Sequence, residues 1–129
     1  MKQILQKLAF SLLLVSLTVT LTTAQSPVIG KATINTDMVI TLDKSGPLVA
    51  DYSFDISGMG LRNKEAAERY FSLGRDNLVS YTVNYDTKTA TVHLMLDLTQ
   101  PRGWDVDQYN EYFVKVSERY RSNMTVVNE

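Results

Sequence analysis

The chain is 129 residues long, enough for one domain once an N-terminal leader is set aside. Its 13 Lys and Arg against 14 Asp and Glu give a net charge of −1, which excludes the concentrated basic face that nucleic-acid binding needs. It contains no cysteine, so disulfides, thiolate nucleophiles and thiolate metal ligands are excluded and the fold has to be held by its apolar core.

Residues 1–24 read as a signal peptide. Lys2 and Lys7 form a short positive region, residues 8–21 are apolar apart from Ser and Thr, and Thr22-Thr23-Ala24 precedes a cut at Gln25. The apolar run is short for a bilayer span and no basic cluster follows it, so no membrane span is expected after removal of the leader. With no cysteine at the cut, lipid attachment there is excluded. Loss of Lys2 and Lys7 leaves eleven basic against fourteen acidic residues, a net charge of minus three. The mature chain is expected in the periplasm or outside the cell.

The mature chain divides into a strand extension at residues 25–47 and a main domain at residues 48–129. In the first part, Val, Ile and Thr predict a weak strand near residues 31–34. A clearer one covers residues 37–42, where Met38, Ile40 and Leu42 alternate. Lys44-Ser45-Gly46-Pro47 is a turn. Residues 50–56 then alternate, with Tyr52, Phe54 and Ile56 on one face and Asp51, Ser53 and Asp55 on the other. Asn63 caps the following helix, where Glu65 and Arg69 stand four apart and Ala67, Tyr70 and Phe71 face inward. Gly74 suits a left-handed helix end. Residues 78–85 and 90–96 form a β-hairpin closed by a turn at residues 86–89.

After Pro101 and Gly103 comes a second helix. Asp105 and Gln108 make a near capping box, and Trp104 and Tyr109 take the positions of a hydrophobic staple. Val106, Tyr109, Phe113, Val116 and Tyr120 form its stripe. Residues 125–127 read as a last short strand.

The order βαββα, with a final β, predicts an α+β fold: a ferredoxin-like sandwich with two helices on one face of an antiparallel sheet. The N-terminal strand at residues 38–42 competes for the flank of residues 50–56, or extends an edge elsewhere. Ile56-Ser57-Gly58-Met59 before a helix, followed by Val79-Ser80-Tyr81-Thr82-Val83-Asn84-Tyr85 and Thr89-Ala90-Thr91-Val92, resembles a heavy-metal-associated domain, the family of copper chaperones. The resemblance covers about residues 50–96. It implies a Cys-x-x-Cys metal site just after Gly-Met, holding monovalent copper between two thiolates. Here those two positions carry Leu61 and Lys64, which have no such donor. The resemblance thus implies a retained fold without its usual metal site.

Other donors exist. Met59, Met38, Met95 and Met124 are thioethers and His93 is the one imidazole, so Met59, His93 and Met95 are the candidates for a copper site without thiolates. His93 lies on the strand face opposite Val92 and Leu94, beside Met95. The pairs Asp105/Asp107 and Asp51/Asp55 fit capping and solvated strand positions better than acid–base or calcium chemistry. Asn123-Met124-Thr125 matches a glycosylation acceptor. Trp104 and Tyr112, the tyrosine expected to be most exposed, make a candidate contact surface. The leading reading is a non-catalytic binding or interaction module whose partner is a protein of the cell envelope, with no cofactor. A copper carrier using Met and His, and a small enzyme, stay open as alternatives.

Overall fold

The protein's structure, a computed structural model, describes residues 27–129; the expected signal peptide and its cut lie outside the described residues. Over the described residues the fold is α+β, a five-stranded mixed sheet with three helices. Strands β1 (Ile29–Ile34), β2 (Ile40–Leu42) and β3 (Asp51–Asp55) precede helix α1 (Lys64–Gly74). Strands β4 (Val79–Asn84) and β5 (Thr89–Leu94), the short helix α2 (Leu96–Thr99), a 3₁₀ turn and helix α3 (Val106–Val127) follow. The strand order is β2-β1-β3-β5-β4.

Alternation decides which face is covered. Ile40, Leu42, Tyr52, Phe54, Val79, Ala90, Val92 and Leu94 are buried, and α1 and α3 supply Ala67, Tyr70, Phe71, Tyr109, Phe113, Tyr120 and Val127 to the same core. Each large apolar side chain taken fully out of water contributes about 1.5–3 kcal/mol. The intervening strand residues, largely Thr, Ser and Asp, form a second face that none of the described residues covers.

The N-terminal segment departs from expectation. Asn35 Oδ1 accepts the N–H groups of Asp37 and Val39 at 3.0 and 2.9 Å, and Met38 adopts φ 59°. That turn consumes the first half of the expected 37–42 strand and leaves Ile40–Leu42. It folds β2 antiparallel onto β1, and β1 takes the flank of β3, in parallel register with Ile29 opposite Asp51. The flank therefore belongs to the weaker strand signal, because a short turn between β1 and β2 leaves only one of them free to reach β3.

The expected strand at residues 125–127 is instead the last turn of α3. Val127 stays in phase with the helix stripe and is buried, so helical period overrides a three-residue β-branched run. Strand β5 stops at Leu94, since Met95 N-caps α2. Gly74 is the last residue of α1 and is not left-handed. A Cβ there would meet the Tyr81 ring at 3.4 Å and that of Tyr120 at 3.5 Å, ordinary contact distances, so neither backbone conformation nor packing demands glycine at this helix end. The ion pair along α1 is Lys64–Glu68, 3.9 Å apart, rather than Glu65–Arg69.

Caps follow the sequence. Asn63 Oδ1 accepts the Ala66 N–H at 2.8 Å. Asp105 and Gln108 complete a reciprocal capping box at 3.0 Å each way, and the Trp104 and Tyr109 rings meet edge-on at 5.1 Å.

One core hydroxyl is left over. The Tyr70 ring packs between Phe71 and Tyr120, centroids 5.0 and 6.5 Å away, yet its buried hydroxyl has no partner among the described residues. A buried donor without a partner costs its lost hydration. Tyr70→Phe is therefore expected to raise the unfolding free energy by about 1 kcal/mol in urea denaturation. A fall would show that the hydroxyl is satisfied.

Candidate functional site

The loop after β3 is where the resemblance places a metal. Met59 is 7 % exposed and belongs to the core. Leu61 is half-buried against the same core, and its carbonyl accepts the Tyr85 hydroxyl at 3.2 Å. Lys64 is exposed as the first residue of α1. A groove of about 330 Å³ runs beside the loop, lined by residues that include Ile34, Asn35, Asp55 and Met59. The Asp55 carboxylate in its wall already accepts from the Ser57 N–H and hydroxyl, both at 2.9 Å, and these bonds hold its pKa below the usual value.

His93 stands on the uncovered sheet face. Its Nδ1 is 2.7 Å from Asp51 Oδ1 and its Nε2 is 3.0 Å from Thr82 Oγ1. Register explains both contacts: His93 lies directly opposite Asp51 on β3, and Thr82 on β4 is its diagonal neighbour beyond Ser80. The three form a carboxylate–imidazole–hydroxyl chain across three strands. A nucleophilic triad has this connectivity, but it also needs N–H donors aimed at the oxygen that develops charge. The backbone of Thr82 is engaged in the ladder with Thr91. Asp51 and His93 are each about one-third exposed, where such pairs contribute about 0–1 kcal/mol.

The metal candidates are not brought together. Met59 follows the C-terminal end of β3, whereas His93 pairs with Asp51 at its N-terminal end. Met95, 36 % exposed, follows His93 at the N-cap of α2. Both nitrogens of His93 are engaged, so a metal has to displace Asp51 or Thr82. Among the described residues no group of three or more His, Asp or Glu is arranged to hold a metal ion.

Trp104 and Tyr112 are brought together, with ring centroids 6.3 Å apart. Tyr112 is half-buried, in the same class as Tyr81 and Tyr85, rather than exposed, and it is tied down. Its hydroxyl donates to Asp76, and both burial and that neighbouring carboxylate push its pKa up. Asp76 was not singled out from sequence. It accepts the N–H groups of Leu78 and Val79 at 2.8 and 3.0 Å and the Arg119 guanidinium at 3.3 Å. Burial pushes its pKa up, and the bonds from Tyr112, Leu78, Val79 and Arg119 outweigh burial to leave it below the ordinary value. The local signal was an Asp two and three residues ahead of the amides that donate to it, an Asx-type turn.

Asp107 pairs with Lys44, and Asp105 serves its cap. Among the described residues no helix is long and apolar enough to cross a membrane. No protein-family model, no curated protein and no solved structure matches the chain, so its reading rests on its own residues.

Proposed function

We propose that the protein is an exported, non-catalytic interaction module of ferredoxin-like build, resembling a heavy-metal-associated domain without its thiolate site. The succession β3, α1, β4, β5, α3, with the short α2 inserted, is compatible with such a sandwich; β1 takes the flank of β3 that its last strand would hold, but runs parallel to β3 where that strand would be antiparallel. The observation that carries the reading is the uncovered sheet face. It presents Asp51, Ser53, Thr82, Thr91 and His93 across three paired strands, a broad polar surface rather than a closed cleft. Leu61 and Lys64 at the thiolate positions support the absence of copper chemistry. The leader-like residues 1–24 support export to the periplasm or beyond, and a protein of the cell envelope is the expected class of partner.

Native mass spectrometry during titration with Cu(I) and Zn(II) at neutral pH tests the reading. No stoichiometric complex is expected. One ion per chain, lost in His93→Ala or Met59→Leu, would overturn it in favour of a metal carrier.

A further inference from the structure

The two edges of the sheet are treated differently. Strand β2 is three residues long, and the Asn110 side chain occupies its outer side: Asn110 Oδ1 accepts the Leu42 N–H at 2.8 Å and Nδ2 donates to the Leu42 carbonyl at 3.3 Å. Strand β4 is six residues, Val-Ser-Tyr-Thr-Val-Asn, without Lys, Pro or a bulge. Natural sheets guard open edges with such devices, because unpaired backbone groups template another strand.

Register shows what β4 leaves free. Met95 N–H donates to the Leu78 carbonyl at 2.9 Å, so Ser80, Thr82 and Asn84 direct their backbone groups to β5, and Val79, Tyr81 and Val83 direct theirs outward. Asp76 takes those of Val79: its carboxylate accepts the Val79 N–H and its own N–H donates to the Val79 carbonyl, both at 3.0 Å. Tyr81 and Val83 keep two donors and two acceptors with no partner among the described residues.

We propose that β4 is a self-pairing edge, through which two copies of this chain join their sheets antiparallel about a two-fold axis at Thr82. It gives the interaction reading above a partner and rests on that reading. About that axis, Tyr81 of one copy faces Val83 of the other and the free groups close four N–H···O=C bonds. Thr82 faces Thr82, a cross-strand hydroxyl pair on the uncovered face. A groove of about 350 Å³ lies between the β4 edge and α1, whose wall carries Glu68, Ser72 and Arg75. The Phe71 and Tyr81 rings, 5.4 Å apart, hold the middle of that wall beside Thr82. Glu68 and Arg75 flank this middle, so the same axis sets Glu68 of each copy against Arg75 of the other. Arg75 makes no ion pair among the described residues, and Glu68 has only the 3.9 Å contact to Lys64. Backbone and charge are both complementary to their own two-fold image, which selects a second copy over an unrelated strand.

Sedimentation equilibrium of the purified protein tests this, with Thr82→Lys, Glu68→Arg, Arg75→Glu and the Glu68→Arg/Arg75→Glu double variant. The expected result is a dimer that Thr82→Lys weakens about a hundredfold or more, since two ammonium groups then meet at the axis. Each single charge reversal weakens it and the double variant restores it. Amide exchange should slow at Tyr81 and Val83 as concentration rises. Thr82, Glu68 and Arg75 are exposed, so the variants are expected to keep the melting transition that the parent shows at concentrations too low for the dimer. A monomer at every concentration, or a dimer indifferent to Thr82→Lys and to the reversals, overturns the proposal. Metal bound through His93 with the dimer intact would instead overturn the functional reading alone.

Discussion

Asp76→Ala is expected to lower the unfolding free energy by about 3 kcal/mol, roughly 15 °C in Tm for a domain of this size. The carboxylate is 19 % exposed and joins the start of β4 to the middle of α3. Removing it strands the Leu78 and Val79 amides and the half-buried Tyr112 hydroxyl, and releases Arg119. Asp76→Asn separates charge from shape, because the amide oxygen can still accept the two backbone bonds. The pH dependence has a definite sign. The folded pKa of Asp76 lies below the ordinary 3.8, so the stabilisation is complete above 3.8 and is lost as pH falls from there through the folded value. The gap between parent and Asp76→Asn in urea denaturation should therefore narrow below about pH 4. A gap constant from pH 6 to pH 2 would show that the charge contributes nothing.

Gly30→Ala is the second large effect, at about 2 kcal/mol of destabilisation. Gly30 lies beside Tyr52 in the parallel β1–β3 ladder, and a Cβ there would stand 2.5 Å from Cδ1 and Cε1 of its ring. The ring cannot swing aside. It is 2 % exposed, and its hydroxyl accepts the Val49 N–H at 3.2 Å. The added methyl must push β1 off the flank of β3 or force Tyr52 out of its rotamer. A double-mutant cycle with Tyr52→Leu checks the cause: once the ring is shortened, Gly30→Ala should add little. Additive losses would mean that Gly30 matters through its backbone freedom alone.

These two sites show where sequence reasoning stops. The β4–β5 hairpin, the Asn63 cap, the Asp105–Gln108 box and the Trp104–Tyr109 staple depend on residues a few positions apart, so period and spacing reveal them. The partners of Asp76 on α3 lie 36 and 43 positions away, and Asp51 lies 42 from His93. Nothing local to Asp51 or His93 says that they will be paired, because cross-strand register decides it.

Alone, the sequence determined that this is an α+β chain with a half-buried sheet, two amphipathic helices and no thiolate at the Leu61 and Lys64 positions. Those properties follow from periodicity and from which donor atoms exist. Tertiary structure decided that β1 rather than the stronger-patterned β2 flanks β3, that Val127 ends a helix, and that Asn110 covers one sheet edge while β4 stays open. The reason is physical: which of several adequate strands and helix ends is used depends on total burial and backbone pairing across the whole core, and those are sums over residues far apart in the chain.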